Sequence, residues 1–211
     1  MNEHNPVAEP YREPGQQNNA AMLGMYIFLA SEVMLFGGIF VVAAAMRLNH
    51  PAETVQASRA LHLWIGGSNT VILLTSSLFV ALGVQAAEQG RRYGAASGLV
   101  TAAVAGVAFL VLKAHEYTVE FDEGLLPISG AAVKLANPVQ RAFMDLYVIA
   151  TGLHALHLTI GIGLLIAIAA RIAGGKINLP ARRIVPTTAG LYWHLIDVVW
   201  IFLYPVFYLS R

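Results

Sequence analysis

"LYWHLIDVVWIFLYP", residues 191–205, sets His194 and Asp197 one helical turn apart inside a stretch that is otherwise apolar. About 20 apolar residues at about 1.5 Å each cross the hydrocarbon of a bilayer, so this stretch poses a membrane question. The rest of the chain answers it. Of its 211 residues, 57% are hydrophobic and only 12% are charged, a balance foreign to a water-soluble globule. A net charge of +1 provides no basic field for nucleic acid. With no cysteine, disulfides, thiolate metal sites and iron–sulfur ligation are excluded.

Working outward from the last helix, four more segments reach spanning length. Ala20–Met46 carries one ionisable residue, Glu32; Leu63–Ala87 carries none; Ala95–Leu112 is uncharged and extends toward His115; Leu146–Ala170 carries only His154 and His157. None has the charged outer face of a soluble amphipathic helix. The pattern predicts an all-α integral membrane bundle of five transmembrane helices, over about 20–46, 63–87, 95–115, 143–171 and 189–210. Residues 1–19 read as a polar tail before a single domain over 20–211. The Lys and Arg residues near helix ends divide seven to six between the two sides, with Lys113 counted on the six side. The seven concentrate in the short loops 88–94 and 171–188, whereas the long 113–145 loop is acidic. The N-terminus is therefore expected in the cytoplasm and the C-terminus outside. Gly66, Gly67, Thr75, Ser76, Ser77, Gly94, Gly98 and Gly106 are small residues that let helices approach closely.

A carboxylate near the bilayer centre costs at least about 2.5 kcal/mol on insertion scales, so each one asks for a role. Glu32 lies roughly 18 Å into its helix, Asp197 roughly 12 Å and His157 roughly 20 Å from the same side. These depths allow one buried polar layer. His194, Asp197, Tyr204 and Tyr208 fall within about 80° of one another, and His154, His157 and Thr151 share a face of the fourth helix. Such stripes must face other helices or a cavity. Three kinds of site fit: a metal or haem site built from His and carboxylate, a proton relay through Glu32 and Asp197, or a hydrogen-bond network that clamps helices.

The residues also resemble a known family. "YWHLIDVVWIFLYP" (192–205) resembles the last helix of subunit III of the haem–copper respiratory oxidases. "FLASEVMLFGGIF" (28–40) is similar to that family's helix with a buried Glu. "HEYTVEFDEGLLPISG" (115–130) is similar to its glutamate–tyrosine loop, and "TGLHALHLTIG" (151–161) to its Gly-x-His-x-x-His-x-x-x-Gly helix. Four motifs in order cover most of the chain, and five helices match the short bacterial forms.

The resemblance implies a non-catalytic partner in aerobic respiration, placed in a bacterial cytoplasmic membrane. In the family, haem and copper belong to subunits I and II. Subunit III carries none, packs beside subunit I, holds phospholipid, and supports sustained turnover and proton uptake. Carried over by position, Glu32 is the buried carboxylate, and His154, His157, Trp193, His194, Asp197 and Trp200 are motif residues. Glu116 and Tyr117 match the loop motif, and none of these residues acquires a metal or a catalytic role. The Ser31–Glu32 pair points to the cytochrome c oxidase version. Quinol oxidase and nitric-oxide-reductase-associated versions, and an independent proton or ion transporter, are the alternatives. Three features depart from the family pattern: His115 before Glu116, an apolar loop over Leu126–Pro138, and a compact linker "HPAETVQAS" at 50–58.

Overall fold

In hydrocarbon a chain must satisfy its backbone hydrogen bonds within itself, and the described residues do so as helix. The structure is a computed structural model that describes residue 11 and residues 13–126 and 137–209. Residues 1–10 of the expected tail, Arg12, residues 127–136 of the expected apolar loop with Lys134, and residues 210–211 lie outside the described residues. Six helices follow in order: α1 (Pro14–Asn49), α2 (Pro51–Arg59), α3 (Leu63–Glu88), α4 (Arg92–Asp122), α5 (Pro138–Ala173) and α6 (Ile184–Tyr208). All except α2 are long and apolar enough to cross a membrane.

The ends have local causes. Helix α1 begins at Pro14, inside the stretch expected as tail; Pro is tolerated in a first turn, where no intrahelical N–H is needed. It stops at Asn49, just before Pro51. The expected linker at 50–58 is instead the short helix α2. Its buried Ser58 donates to the Phe207 carbonyl at 2.6 Å, while Gln140 Nε2 donates to Gln56 Oε1 at 2.7 Å. Those two bonds tie α2 to the end of α6 and the start of α5. Helix α5 is capped by Asn137, whose side chain accepts from the Val139 N–H at 2.9 Å. Helix α4 runs farthest past its expected end, through a charged run to Asp122.

Packing joins α3 to α4, α4 to α5, α5 to α6 and α6 back to α3, an up-and-down ring of four helices. Helix α1 sits outside the ring, against α5 and α6. The ring's interior is filled by Leu73, Leu99, Phe109, Tyr147, Leu158, Trp193, Trp200 and Leu203, all fully or almost fully buried. The α3–α4 crossing is the closest approach. A Cβ on Gly98 would stand 2.8 Å from Gly83 Cα and 2.9 Å from the Phe79 carbonyl oxygen, with backbone on the far side that cannot yield. Here the small residues do the packing expected of them.

Gly98→Val should therefore force α3 and α4 apart and cost about 1–3 kcal/mol. Gly152, with nothing within 4 Å of its would-be Cβ, is the control site. Thermal unfolding in detergent should be lowered by Gly98→Val and little changed by Gly152→Val; equal behaviour of the two would contradict the crossing geometry.

Candidate functional site

Helix α4 keeps its period straight through the run after Leu112. Phe109, Lys113, Glu116 and Glu120 fall within about 60° on one face, and that face points into the ring. Lys113 is 2% exposed, and Glu116 and Glu120 are fully buried. An ammonium has three hydrogens, and three acceptors meet them: Glu116 Oε2 at 2.9 Å, the Tyr147 hydroxyl at 2.7 Å and the Tyr208 hydroxyl at 2.6 Å. Each tyrosine passes its own hydrogen to a carboxylate. Tyr208 donates to Glu116 Oε1 at 2.7 Å and Tyr147 to Glu120 Oε1 at 2.8 Å. The rings of Tyr117, Tyr147, Trp200 and Tyr208 surround Nζ at 4.7–5.5 Å. Tyr117 in turn donates to Thr151 Oγ1 at 2.5 Å, and Thr151 donates to the Tyr147 carbonyl at 2.7 Å.

This cluster corrects two expectations. Glu116 and Tyr117 belong to helix α4, not to a loop, and Lys113 is buried in the ring, so it does not count as a loop cation. The physical reason is common to both: the charges are paired inside the bundle, so they need no loop to reach water. The signal was present in the 4-3-4 spacing of Phe109, Lys113, Glu116 and Glu120, which continues the apolar face of the helix.

Below the cluster lies an aromatic layer. Phe109 meets Trp200 edge-on at 4.7 Å, and His154 packs against both, at 5.6 and 5.1 Å. His154 is buried, and neither ring nitrogen has a hydrogen-bond partner among the described residues. Trp200 Nε1–H donates to Thr70 at 3.1 Å and Trp193 Nε1–H to Ser76 at 2.8 Å, so both motif tryptophans pin α6 to α3. One turn nearer the start of α6, His194 Nδ1 lies 2.7 Å from Ser77 Oγ and 4.0 Å from Asp197 Oδ2. His194 lines a pocket of about 260 Å³ with Gln85, Glu88 and Thr187, while Asp197 is buried.

The third group is on the other side of α6. His157 and Glu32, each midway along its helix, meet at 2.9 Å between Nε2 and Oε2. His157 Nδ1 lies 2.8 Å from the Leu153 carbonyl, and Tyr192 donates to the His157 carbonyl at 3.2 Å. The pair closes a cleft of about 520 Å³ between α1, α5 and α6, whose walls include Met25, Phe28, Leu164, Ile168 and Val185. Glu32, His157 and Asp197 thus do not form one layer. Glu32 and His157 come together, whereas Asp197 faces α3 with His194 and Ser77. His154 and His157 also diverge, one into the ring and one toward α1. Among the described residues no three His, Asp or Glu side chains converge as metal ligands would.

Comparison with known proteins adds the family. The model for cytochrome c oxidase subunit III matches residues 15–210. The chain is 29% identical over 194 residues to a probable cytochrome c oxidase subunit 3 of Mycobacterium tuberculosis, covering 92% of this chain and 89% of that one. To a probable cytochrome c oxidase subunit 3 of Nocardia farcinica it is 30% identical over 199 residues, with the same coverage. To the cytochrome c oxidase subunit 3 of Synechocystis it is 28% identical over 188 residues, covering 89% and 75%.

The Lys113 cluster makes a sharp demand on stability. Removing one partner of a buried charged group costs about 3–5 kcal/mol, whereas replacing the whole group by neutral side chains is far cheaper. Lys113→Met should lower the thermal midpoint strongly, and the triple change Lys113→Met, Glu116→Gln and Glu120→Gln should recover much of it. A triple variant no better than the single one would contradict the pairing.

Proposed function

The chain belongs to the cytochrome c oxidase subunit III family, and from that premise we propose that it serves as a non-catalytic subunit of a haem–copper terminal oxidase. The observation that carries this reading is the family match over residues 15–210, nearly the whole chain. Haem and copper are then held by partner subunits I and II, with this chain packed beside subunit I. Its contribution is to assembly, to lipid retention, and to sustained proton-coupled oxygen reduction by subunit I. Cytochrome c is the favoured electron donor, in line with the names of the relatives.

Several features support the details. The Lys113 cluster turns its polar groups toward one another across α4, α5 and α6, as suits a scaffold. Helix α1 has only 11% of its apolar window buried, against 33–50% for the other spans, so most of its surface is left for lipid or a partner. Phospholipid headgroups suit the rim of the α1–α5–α6 cleft, where exposed Arg171, Arg182 and Arg183 stand just beyond Ile168 and Val185. With Lys113 buried, the count of basic residues tilts further toward the loops 88–94 and 171–188, which favours a cytoplasmic N-terminus.

A tagged chain drawn from its native membranes in mild detergent should bring haem bands, copper and cyanide-sensitive oxygen uptake with it. All three should be lost when the chain is stripped off alone. A colourless, partner-free eluate would overturn the proposal and bring an independent transporter to the front. In the assembled oxidase, His194→Ala or Asp197→Ala should reduce subunit content or bound phospholipid while the haem spectrum stays unchanged. An Asp197→Ala complex with normal stability and composition would count against that role.

A further inference from the structure

Four buried polar atoms at one level of the ring have no hydrogen-bond partner among the described residues. They are Nδ2 and Oδ1 of Asn69 on α3 and the two ring nitrogens of His154 on α5. Asn69 is fully buried and His154 is 1% exposed, so surface solvent does not meet them. Register along the helices brings the two side chains to the same height. Helices α3 and α4 run antiparallel, and Ser76 donates to the Ala102 carbonyl at 3.4 Å. Asn69 lies two turns before Ser76 on the same face of α3, and Phe109 lies two turns beyond Ala102 on α4. Phe109 and Asn69 therefore share a level. Helix α6 brings Trp200 there, whose Nε1–H donates to Thr70, the chain neighbour of Asn69, at 3.1 Å. Helix α5 brings His154, which packs on Phe109 and Trp200 at 5.6 and 5.1 Å.

Both side chains point inward. The face of α3 that carries Asn69 also carries Ser76, which receives the Trp193 Nε1–H at 2.8 Å. The face of α5 that carries His154 also carries Tyr147, which bonds to Lys113 inside the ring. Helices α3 and α5 stand diagonally across the ring, and among the described residues no Cα of one comes within 8 Å of a Cα of the other. A third group is needed to join them. An amide both donates and accepts, and an imidazole nitrogen does one or the other according to its tautomer. Water does both, and so fits either tautomer without a choice between them. An ion fits less well. The Lys113 ammonium, one turn beyond Phe109, repels a cation, and its three acceptors leave it no need of an anion. Buried sites lined by polar groups hold water, whereas sites that stay empty are apolar.

We propose that the ring binds internal water between Asn69 and His154, and that this water bridges α3 to α5 across the diagonal. The Lys113–Tyr208 bond joins the other diagonal, α4 to α6, about one turn away along the bundle. The two together brace all four helices of the ring. Phe109 and Trp200 wall the site on the remaining sides. The site belongs to the ring alone and holds whether or not the chain serves in an oxidase.

The test is radiolytic footprinting of the full chain, purified from its native membranes with the partners it retains. A brief X-ray pulse turns water into hydroxyl radical, which oxidises the side chains that the water touches. Trp200 and Trp193 are 1% and 0% exposed and both bond through Nε1–H, so they form a matched pair. Label should fall on Trp200, with Phe109 and His154, and Trp193 should stay at background. Asn69→Leu combined with His154→Phe fills the site with apolar groups and should lower Trp200 to the Trp193 background. Equal label on Trp200 and Trp193 in the wild type would overturn the proposal, and so would label on Trp200 that survives the double substitution. Should the double variant fail to fold, a wild-type density map that resolves ordered water decides. A peak within hydrogen-bond distance of both Asn69 and His154 supports the bridge. A direct bond between the two side chains, or no peak between them, overturns it.

Discussion

An ammonium can be buried only if every one of its hydrogens is met, and the three acceptors around Lys113 come from α4, α5 and α6. That requirement constrains the whole ring. Tyr147 and Tyr208 must arrive at one level from antiparallel helices, and Glu116 and Glu120 must follow Lys113 on one face of α4. Because α4 and α6 are not neighbours in the ring, the Lys113–Tyr208 bond spans its interior. A shift of any one helix along its axis by a residue, about 1.5 Å, would break bonds on the other two. Buried polar networks of this kind fix register, although Glu120 Oε2 is left without a hydrogen-bond partner among the described residues. The net contribution to stability is therefore smaller than the cost of breaking the network, and specificity is what it adds.

The polar groups are graded across the membrane. The cluster with formal charges lies near the ends of α4 and α6, where water is close. His194 opens to a pocket that leads toward Glu88 at the opposite end of the bundle. Midway between the two faces stands the half-buried pair of Glu32 and His157. The gradient follows the cost of charge, which is greatest at the bilayer centre and falls toward either surface. It also explains why α1 needs its polar bond where it has it. With few packing partners, α1 gains one polar contact, 2.9 Å between Glu32 Oε2 and His157 Nε2, at the level where alternative partners in lipid do not exist.

Much of this was legible in the sequence, and the failures share a cause. The five spans could be read because run length and hydrophobicity report directly on what hydrocarbon accepts. The His194–Asp197 spacing could be read because helical period is a local property, whereas His154 and His157, expected on one face, turn to the ring and to α1. Ser77 as the third member beside His194 could not, since its place is set by how α3 meets α6. Depth counting placed Glu32, Asp197 and His157 at similar levels but carried no information on azimuth, and azimuth decided that Asp197 faces α3 while Glu32 and His157 face each other. The end of α4 was misplaced because a hydropathy run stops at the first charge. Lys113 is a charge that stays in the helix, and only the continued 4-3-4 period reveals it. The linker at 50–58 is too short for periodicity to distinguish a helix from a turn.

The aromatic layer bears on what the bundle can conduct. Along α6, Asp197 precedes Trp200 and Tyr208 follows it, so the ring of Trp200 stands between the acid and the Lys113 cluster. Phe109 meets it edge-on, and the imidazole of His154 fills the remaining side without a hydrogen-bond partner. A proton path needs successive donors and acceptors within hydrogen-bond reach, directly or through water, and between the two polar groups stand the packed rings of Phe109, His154 and Trp200. The polar groups on the two sides of this layer have different neighbours: His194 bonds to Ser77 of α3 with Asp197 beside it, and the Lys113 group joins α4, α5 and α6. Such an arrangement holds helices in place at two levels.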